Sequence, residues 1–286
     1  MNDRPRSPAR CNALMVSIAV AAVFVSIASS GAFAHDETSY PDWKGRWLRL
    51  QSGNFDPTKP PGLPQKPPLT PEYQAVFEAS VKDQAAGGQG NNPMAGCMPP
   101  GMPRMMILYG LGVEMLVTPS TTFMVFGEPM SQLRRIHTDG RDWPLRIKPT
   151  FSGYSIGRWV DEDGHGRYDP LHVETRTMRA PRSYDSSGMP FHRDGQAVVK
   201  ERLYLDKTRR DLMHNEITVI DNALTQPWTI KREYVRKTPQ WLETICGEDE
   251  HQVRIGKEDY FLSGERLLLP TREGQPPPDL RRIEQR

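Results

Sequence analysis

Glycine loops that cradle phosphate are missing from this sequence: neither G-x-x-x-x-G-K-S/T nor G-x-G-x-x-G occurs. Their absence counts against a nucleotide enzyme and a Rossmann dehydrogenase. Charge of one sign is missing too. The formal net charge is +2 over 286 residues, and arginines are balanced by acids along the chain, so neither nucleic-acid binding nor steering of acidic substrates is indicated. Nothing repeats at a solenoid period, and no strand–helix alternation suggests a parallel sheet. What is abundant is punctuation: 27 prolines and 23 glycines favour many short elements over long helices.

The first 34 residues read as a targeting segment. Arg4, Arg6 and Arg10 make a basic start, Ala13 to Ala28 is apolar and uncharged, and Ala32-Phe33-Ala34 has the small-x-small pattern read by signal peptidase. Cleavage is expected after Ala34, with export to the periplasm or beyond the cell. The apolar run is shorter than the roughly 20 residues a spanning helix needs, so no membrane span is expected after cleavage. The remaining chain carries 34 residues of each sign and is formally neutral. Its only cysteines, Cys97 and Cys246, are expected to pair in an oxidising compartment. A catalytic thiol is the alternative, although no pattern sets a histidine beside either.

After the leader, Tyr40 to Trp47 opens the folded part with aromatics around Gly45, and Asp56 to Pro71 carries seven prolines, so it should run extended and link rather than pack. Thr70-Pro71-Glu72 starts a helix with a cap, a proline at the first helical position and an acid in the first turn. Tyr73, Val76, Phe77 and Val81 then recur at helical spacing up to about Ala86. Asn91 to Met106 holds five methionines and Cys97 among prolines and glycines. A soft-metal site is one reading, and a coil whose methionines fill irregular core gaps is the other.

From Ile107 the pattern is β. Val113 to Val117, Thr121 to Phe126, Leu133 to Thr138, Tyr154 to Trp159, His172 to Met178, Ala197 to Leu205, Leu212 to Ile220, Trp228 to Tyr234 and Trp241 to Cys246 are short runs rich in β-branched and aromatic residues. The expected fold is mainly β, an antiparallel meander closing as a lipocalin-like barrel or a sandwich, with one N-terminal helix. A single β domain over 72–269 would follow the lead-in at 35–71, with a flexible tail at 270–286. The stretch from Arg134 to Trp159 is the densest in polar, aromatic and turn-forming residues. Asp139-Gly140 reads there as a two-residue hairpin, Pro144 and Pro149 make Asp142 to Pro149 a connection or an edge, and Gly153 and Gly157 allow close backbone approach. Asp161 to Gly164 is a second turn.

Two resemblances follow from these residues. Gly45-Arg46-Trp47 resembles the G-x-W pattern that opens the first strand of lipocalin-like barrels, where the tryptophan plugs the closed end. The ordered segments PLTPEY, CMPPGMPRMM, RRIHTDGR, SIGRW, HNEITVID, QPWTIKREY and WLETIC resemble a family of exported, functionally uncharacterised bacterial proteins over most of the mature chain. The resemblance implies compartment and a globular fold but no reaction. His137 stands where a tyrosine is expected in most of that family.

Strand alternation assigns faces. His214, Glu216 and Thr218 share one side of their strand, His172, Glu174 and Arg176 share one of theirs, and so do Lys200, Arg202 and Tyr204. Turned inward, His214, Glu216, Arg202, Tyr204 and His172 would form a cavity for cofactor-independent acid–base chemistry by a lyase, isomerase or hydrolase. Turned outward, they form a solvated sheet face over a core that includes Met213, Ile217 and Val219, as antiparallel sheets usually wet their more polar side. Asp163, His165, Tyr168, Asp169 and His172 gather in one loop, a metal set or a polar turn, and match no zinc signature. After cleavage, His35 would be a terminal copper chelate or a flexible end. The reading favoured is a barrel holding a small apolar or aromatic molecule in its interior, with Trp159, Tyr154, His137, Arg141 and His192 as contacts. The acid–base enzyme is the alternative, and a structural or interaction role in the cell envelope is a third.

Overall fold

In the computed structural model, residues 39–50, 67–107, 112–127, 132–179, 182–238, 246 and 251–282 are described. The targeting segment, His35 and the strand expected over Trp241 to Cys246 lie outside them, except for Cys246, which stands in a turn. Nine strands close into a barrel in chain order: β1 (Arg46–Arg49), β2 (Val113–Val117), β3 (Thr121–Phe126), β4 (Gln132–His137), β5 (Tyr154–Trp159), β6 (Leu171–Arg176), β7 (Val198–Leu205), β8 (Leu212–Ile220) and β9 (Trp228–Lys237). Strand β1 joins β9 to close the ring, with Arg46 opposite Lys237 and Arg49 opposite Tyr234. The expected barrel is thus present. Burial alternates along its strands: Met213, Asn215, Ile217 and Val219 of β8 are buried while His214, Glu216 and Thr218 lie between them half-exposed.

An odd number of consecutive strands cannot alternate in direction all the way round a closed ring. One neighbouring pair must run parallel, and here it is β4 with β5, paired only at Ile136–Ser155 and His137–Ile156. A hairpin at Asp139-Gly140 would have made that pair antiparallel, so the expected hairpin is not formed. Residues 138–153 instead cross back over the barrel, as a parallel join requires a crossover, and Pro144 and Pro149 lie in that connection as expected. The join is a short seam, no longer than the antiparallel β1–β2 pairing at Arg46–Glu114 and Trp47–Val113, while the other neighbours are laddered over four or more pairs.

Gly157 sits at this seam. A Cβ there would stand 2.6 Å from Ile136 Cγ2 and 3.1 Å from Leu171 Cδ1, and both neighbours are fully buried. Gly157→Val is therefore expected to cost about 1–3 kcal/mol through overpacking, measured by urea denaturation. A loss below about 0.5 kcal/mol, the range of ordinary surface changes, would mean that Ile136 has room to yield.

Helix α1 (Pro71–Ala85) begins as its sequence dictates, the Thr70 hydroxyl accepting from the Tyr73 N–H and Pro71 occupying the first turn. Its buried face is Tyr73, Phe77 and Ser80, whereas Val81 is exposed, a correction to the expected stripe. The methionine-rich stretch leads into the short helix α2 (Arg104–Ile107), with Met102, Met105 and Met106 buried in the core. They fill space, as the packing alternative had it. The carbonyls at the end of α2 cap the barrel: Ile107 O accepts from Arg49 Nη1 at 2.6 Å and Arg232 Nε at 2.9 Å, and Met106 O from Tyr234 Oη at 2.5 Å. At the opening of β1, Trp47 is fully buried, its indole N–H donating to Trp43 O at 2.9 Å with the Arg236 guanidinium over its ring.

A three-stranded sheet follows the barrel, made of β10 (His251–Ile255), β11 (Glu258–Leu262) and β12 (Leu268–Pro270). Buried Asp259 is its hub, accepting from Arg254 Nε and Nη2 at 2.8 Å and from the Gln89 N–H at 3.1 Å. Cys97 and Cys246 form the expected disulfide, with Cα atoms 5.6 Å apart. Beyond Pro270, Gln275 Nε2 donates to Asp259 O at 2.7 Å and Pro276 O accepts from Tyr260 Oη at 2.9 Å. No helix among the described residues is long and apolar enough to cross a membrane.

Candidate functional site

The barrel interior is filled by side chains, with a polar centre among apolar neighbours. Arg134 of β4 forms a two-pronged pair with Glu201 of β7, and neither side chain is exposed at all. The same guanidinium donates to Thr175 Oγ1 at 3.0 Å and reaches Ser155 Oγ at 3.4 Å, while Asn215 Nδ2 donates to Glu201 Oε1 at 3.0 Å. Met124, Ile136, Leu203, Met213 and Ile217 close around this centre, all fully buried. An interior ligand has no room among them, which moves the search to the wall. Ser155 is also the middle residue of Gly153-Tyr154-Ser155-Ile156-Gly157, which has the spacing of a nucleophile elbow. It lies within a strand, facing Arg134 and Thr175, and not on the strand-to-helix turn that exposes such a serine.

On the wall, β4 ends at His137 while β5 runs on to Trp159. Past the two register pairs the strands part, and a cleft of about 450 Å³ opens between them. Thr138, Gly140 and Arg141 line one side, Ile156, Gly157, Arg158 and Trp159 the floor, and Tyr40 and Tyr168 the far side. The aromatics are mutually braced: Tyr40 meets Trp159 edge-on at 5.6 Å and Tyr168 at 5.0 Å, and buried Trp43 supports Trp159 from behind at 4.8 Å. Burial pushes the Tyr40 phenol up, so it stays a neutral hydroxyl. Arg141 is fixed in place by Asp139, through Nε at 2.8 Å and Nη2 at 2.6 Å, and its Nη1 lies 3.4 Å from Tyr154 Oη. The guanidinium holds the Asp139 carboxyl down at about 2.

Of the expected ligand contacts, Trp159 and Arg141 line the cleft, and Tyr154 and His137 flank it with their rings 5.0 Å apart. Burial pulls the His137 imidazole down. His192 is elsewhere, against Tyr73 at 5.2 Å and Asp194 Oδ2 at 2.9 Å. Tyr40, Ile156 and Arg158 are cleft residues that sequence reasoning missed, and Tyr168 was assigned to the loop set. Only folding brings Tyr40 to Trp159.

The acid–base set does share one face, and that face is the outside of the barrel. Cross-strand register lines up Arg158, His172, Arg202, Glu216 and Lys231 in a single row, with Tyr204, His214 and Glu233 in the next. His214 Nε2 is 3.1 Å from Asp206 and Nδ1 3.5 Å from Glu233, its ring stacked on Tyr204 at 5.0 Å. Arg202 covers Tyr204 at 4.2 Å and pairs with Glu162 at 2.9 Å. The enclosed cavity that the inward alternative required is not built, because alternation turns these side chains to the wet side. In the loop set, Asp163 pairs with Lys207 at 3.4 Å and burial pushes the Asp169 carboxyl up. Among the described residues no group of three or more His, Cys, Asp and Glu is placed to hold a metal ion.

Fold and site together define a closed nine-stranded β-barrel, consistent with a lipocalin-like architecture, with a filled interior and an aromatic cleft at its parallel seam. No protein-family model matches the chain, and no curated protein or solved structure is detectably similar to it.

Proposed function

We propose that the chain is an exported binding protein that holds a small aromatic molecule in the cleft at the β4–β5 seam. The observation carrying this reading is the concave wall of Tyr40, Trp159 and Tyr168, because pre-braced aromatic rings supply apolar contact at little ordering cost and favour edge-on or offset contact with another ring. Export is supported by the basic, apolar and small-x-small order of the first 34 residues and by the disulfide. Binding takes precedence over acid–base catalysis because the cleft is concave, while His214 lies on the open wall with both ring nitrogens beside carboxylates.

Calorimetric titration of the full chain with naphthalene-bearing probes tests the reading. Saturable binding is expected, weakened about tenfold or more in Tyr168→Ala, which removes one wall, and in Ile156→Trp, which fills the floor. Binding that ignores both substitutions, or no saturable binding, would sink it.

A further inference from the structure

We propose that the molecule taken by the cleft is an aromatic anion, with Arg158 as the group that binds its charge; this rests on the cleft being the ligand site. The argument begins with how the cations of this wall are compensated. Arg176 sits 2.5 Å from Glu174, Lys200 3.9 Å from the same carboxylate, Arg202 2.9 Å from Glu162, Lys231 3.2 Å from Glu216 and Arg141 2.6 Å from Asp139. The Arg158 side chain makes no hydrogen bond or ion pair among the described residues, and neither does that of Arg135 on β4; of these two only Arg158 lines the cleft. Its cross-strand neighbour is His172, and the next residue in the row is Arg202. No carboxylate stands beside it on its own row.

The cleft therefore holds two guanidinium groups and, through Asp139, one carboxylate. Arg158 is the uncompensated cation. It stands on the floor between Gly157 and Trp159, both cleft residues, so a ring placed against Trp159, Tyr40 and Tyr168 would carry a carboxylate or similar oxyanion toward it. A planar oxyanion suits the guanidinium fork better than it suits an ammonium, because two parallel N–H donors match two acceptor oxygens. Arg141, neutralised by Asp139 and oriented by it, adds a second donor edge and little net charge. The chemistry recognised is thus a flat apolar ring with one acidic group.

Two probes that share a ring and differ in charge make the test: naphthoate and naphthylmethanol, titrated into the full chain at low salt. Naphthoate is expected to bind about tenfold tighter, the low end of what a partly exposed charge-assisted contact contributes. The preference should shrink as salt is added, fall to about twofold or less in Arg158→Gln and survive in part in Arg158→Lys. Equal binding of the two probes, or a preference untouched by Arg158→Gln, overturns the anion assignment and leaves the aromatic site standing. Binding of neither probe overturns the site itself, and the anion assignment falls with it. Arg158 is an exposed residue at the outer surface of β5, so its substitution should leave the melting temperature unchanged and separates lost binding from lost fold.

Discussion

Arg134→Met is expected to lower folding stability by about 3–5 kcal/mol, the loss seen when one partner of a buried ion pair is deleted and the other charge is left uncompensated. Glu201 would keep Asn215 Nδ2 at 3.0 Å as its only other described donor. The position of the pair makes the loss local as well as large. Strands β4 and β5 share two register pairs, and the Arg134 side chain ties β4 across that seam to Ser155 on β5, Thr175 on β6 and Glu201 on β7. Methionine keeps much of the volume, so the loss reports charge and hydrogen bonds more than a cavity. Urea denaturation should show the lowered midpoint, and amide exchange should speed up first at Ile136 and Ser155. Adding Glu201→Leu should recover most of the loss, since the stranded carboxylate goes too. A single variant within about 1 kcal/mol of the parent would mean that the seam holds without the pair.

Removal of the disulfide by Cys97→Ser with Cys246→Ser should cost about 5 kcal/mol on the chain-entropy account, because the bond joins residues 149 apart. Its placement says what it secures. Cys97 follows a single 3-10 turn, Pro93–Gly96, and has a left-handed backbone, φ 59°; it lies on the segment leading to α2, whose carbonyls cap the barrel. Cys246 lies between β9 and β10. The cross-link thus ties the capping segment to the entry of the three-stranded sheet. Thermal unfolding with and without reductant checks the size of the effect. A loss under about 1 kcal/mol would assign the joining to Asp259, whose carboxylate accepts from the Gln89 N–H at 3.1 Å and Nε2 at 3.2 Å and so bridges the same two regions.

Where strands are buried on one face, the sequence was legible almost to the residue. Val113–Val117, Thr121–Phe126, Tyr154–Trp159 and Leu212–Ile220 are strands with the expected bounds; in the first, second and fourth the inward positions are mostly apolar or β-branched, whereas Tyr154–Trp159 turns Ser155, Gly157 and Trp159 inward. The strands β10 and β11 were not anticipated. Their buried positions do not alternate, since Asp259 and Tyr260 are neighbours in β11 and only Ile255 is buried in β10, so no period-two pattern marks them or the two-residue turn at Gly256-Lys257 between them. Asp139-Gly140 carried the stronger turn signal, and ring closure overrode it. The interior charges were invisible for a related reason: Arg134 reads as one more arginine in an RRIH run, and only its partner on β7 makes it a core residue.

By itself the sequence determined the β class, the helix start at Thr70 and the pairing of its two remaining cysteines. Each depends on local chemistry or on alternation along one strand. The tertiary structure alone decided that the interior is filled, that the parallel seam falls between β4 and β5, and that Tyr40, Arg141, Arg158, Trp159 and Tyr168 share a cleft. Those facts depend on which strands become neighbours when an odd-numbered ring closes, and neighbours across a closed sheet leave no mark in the order of residues along the chain.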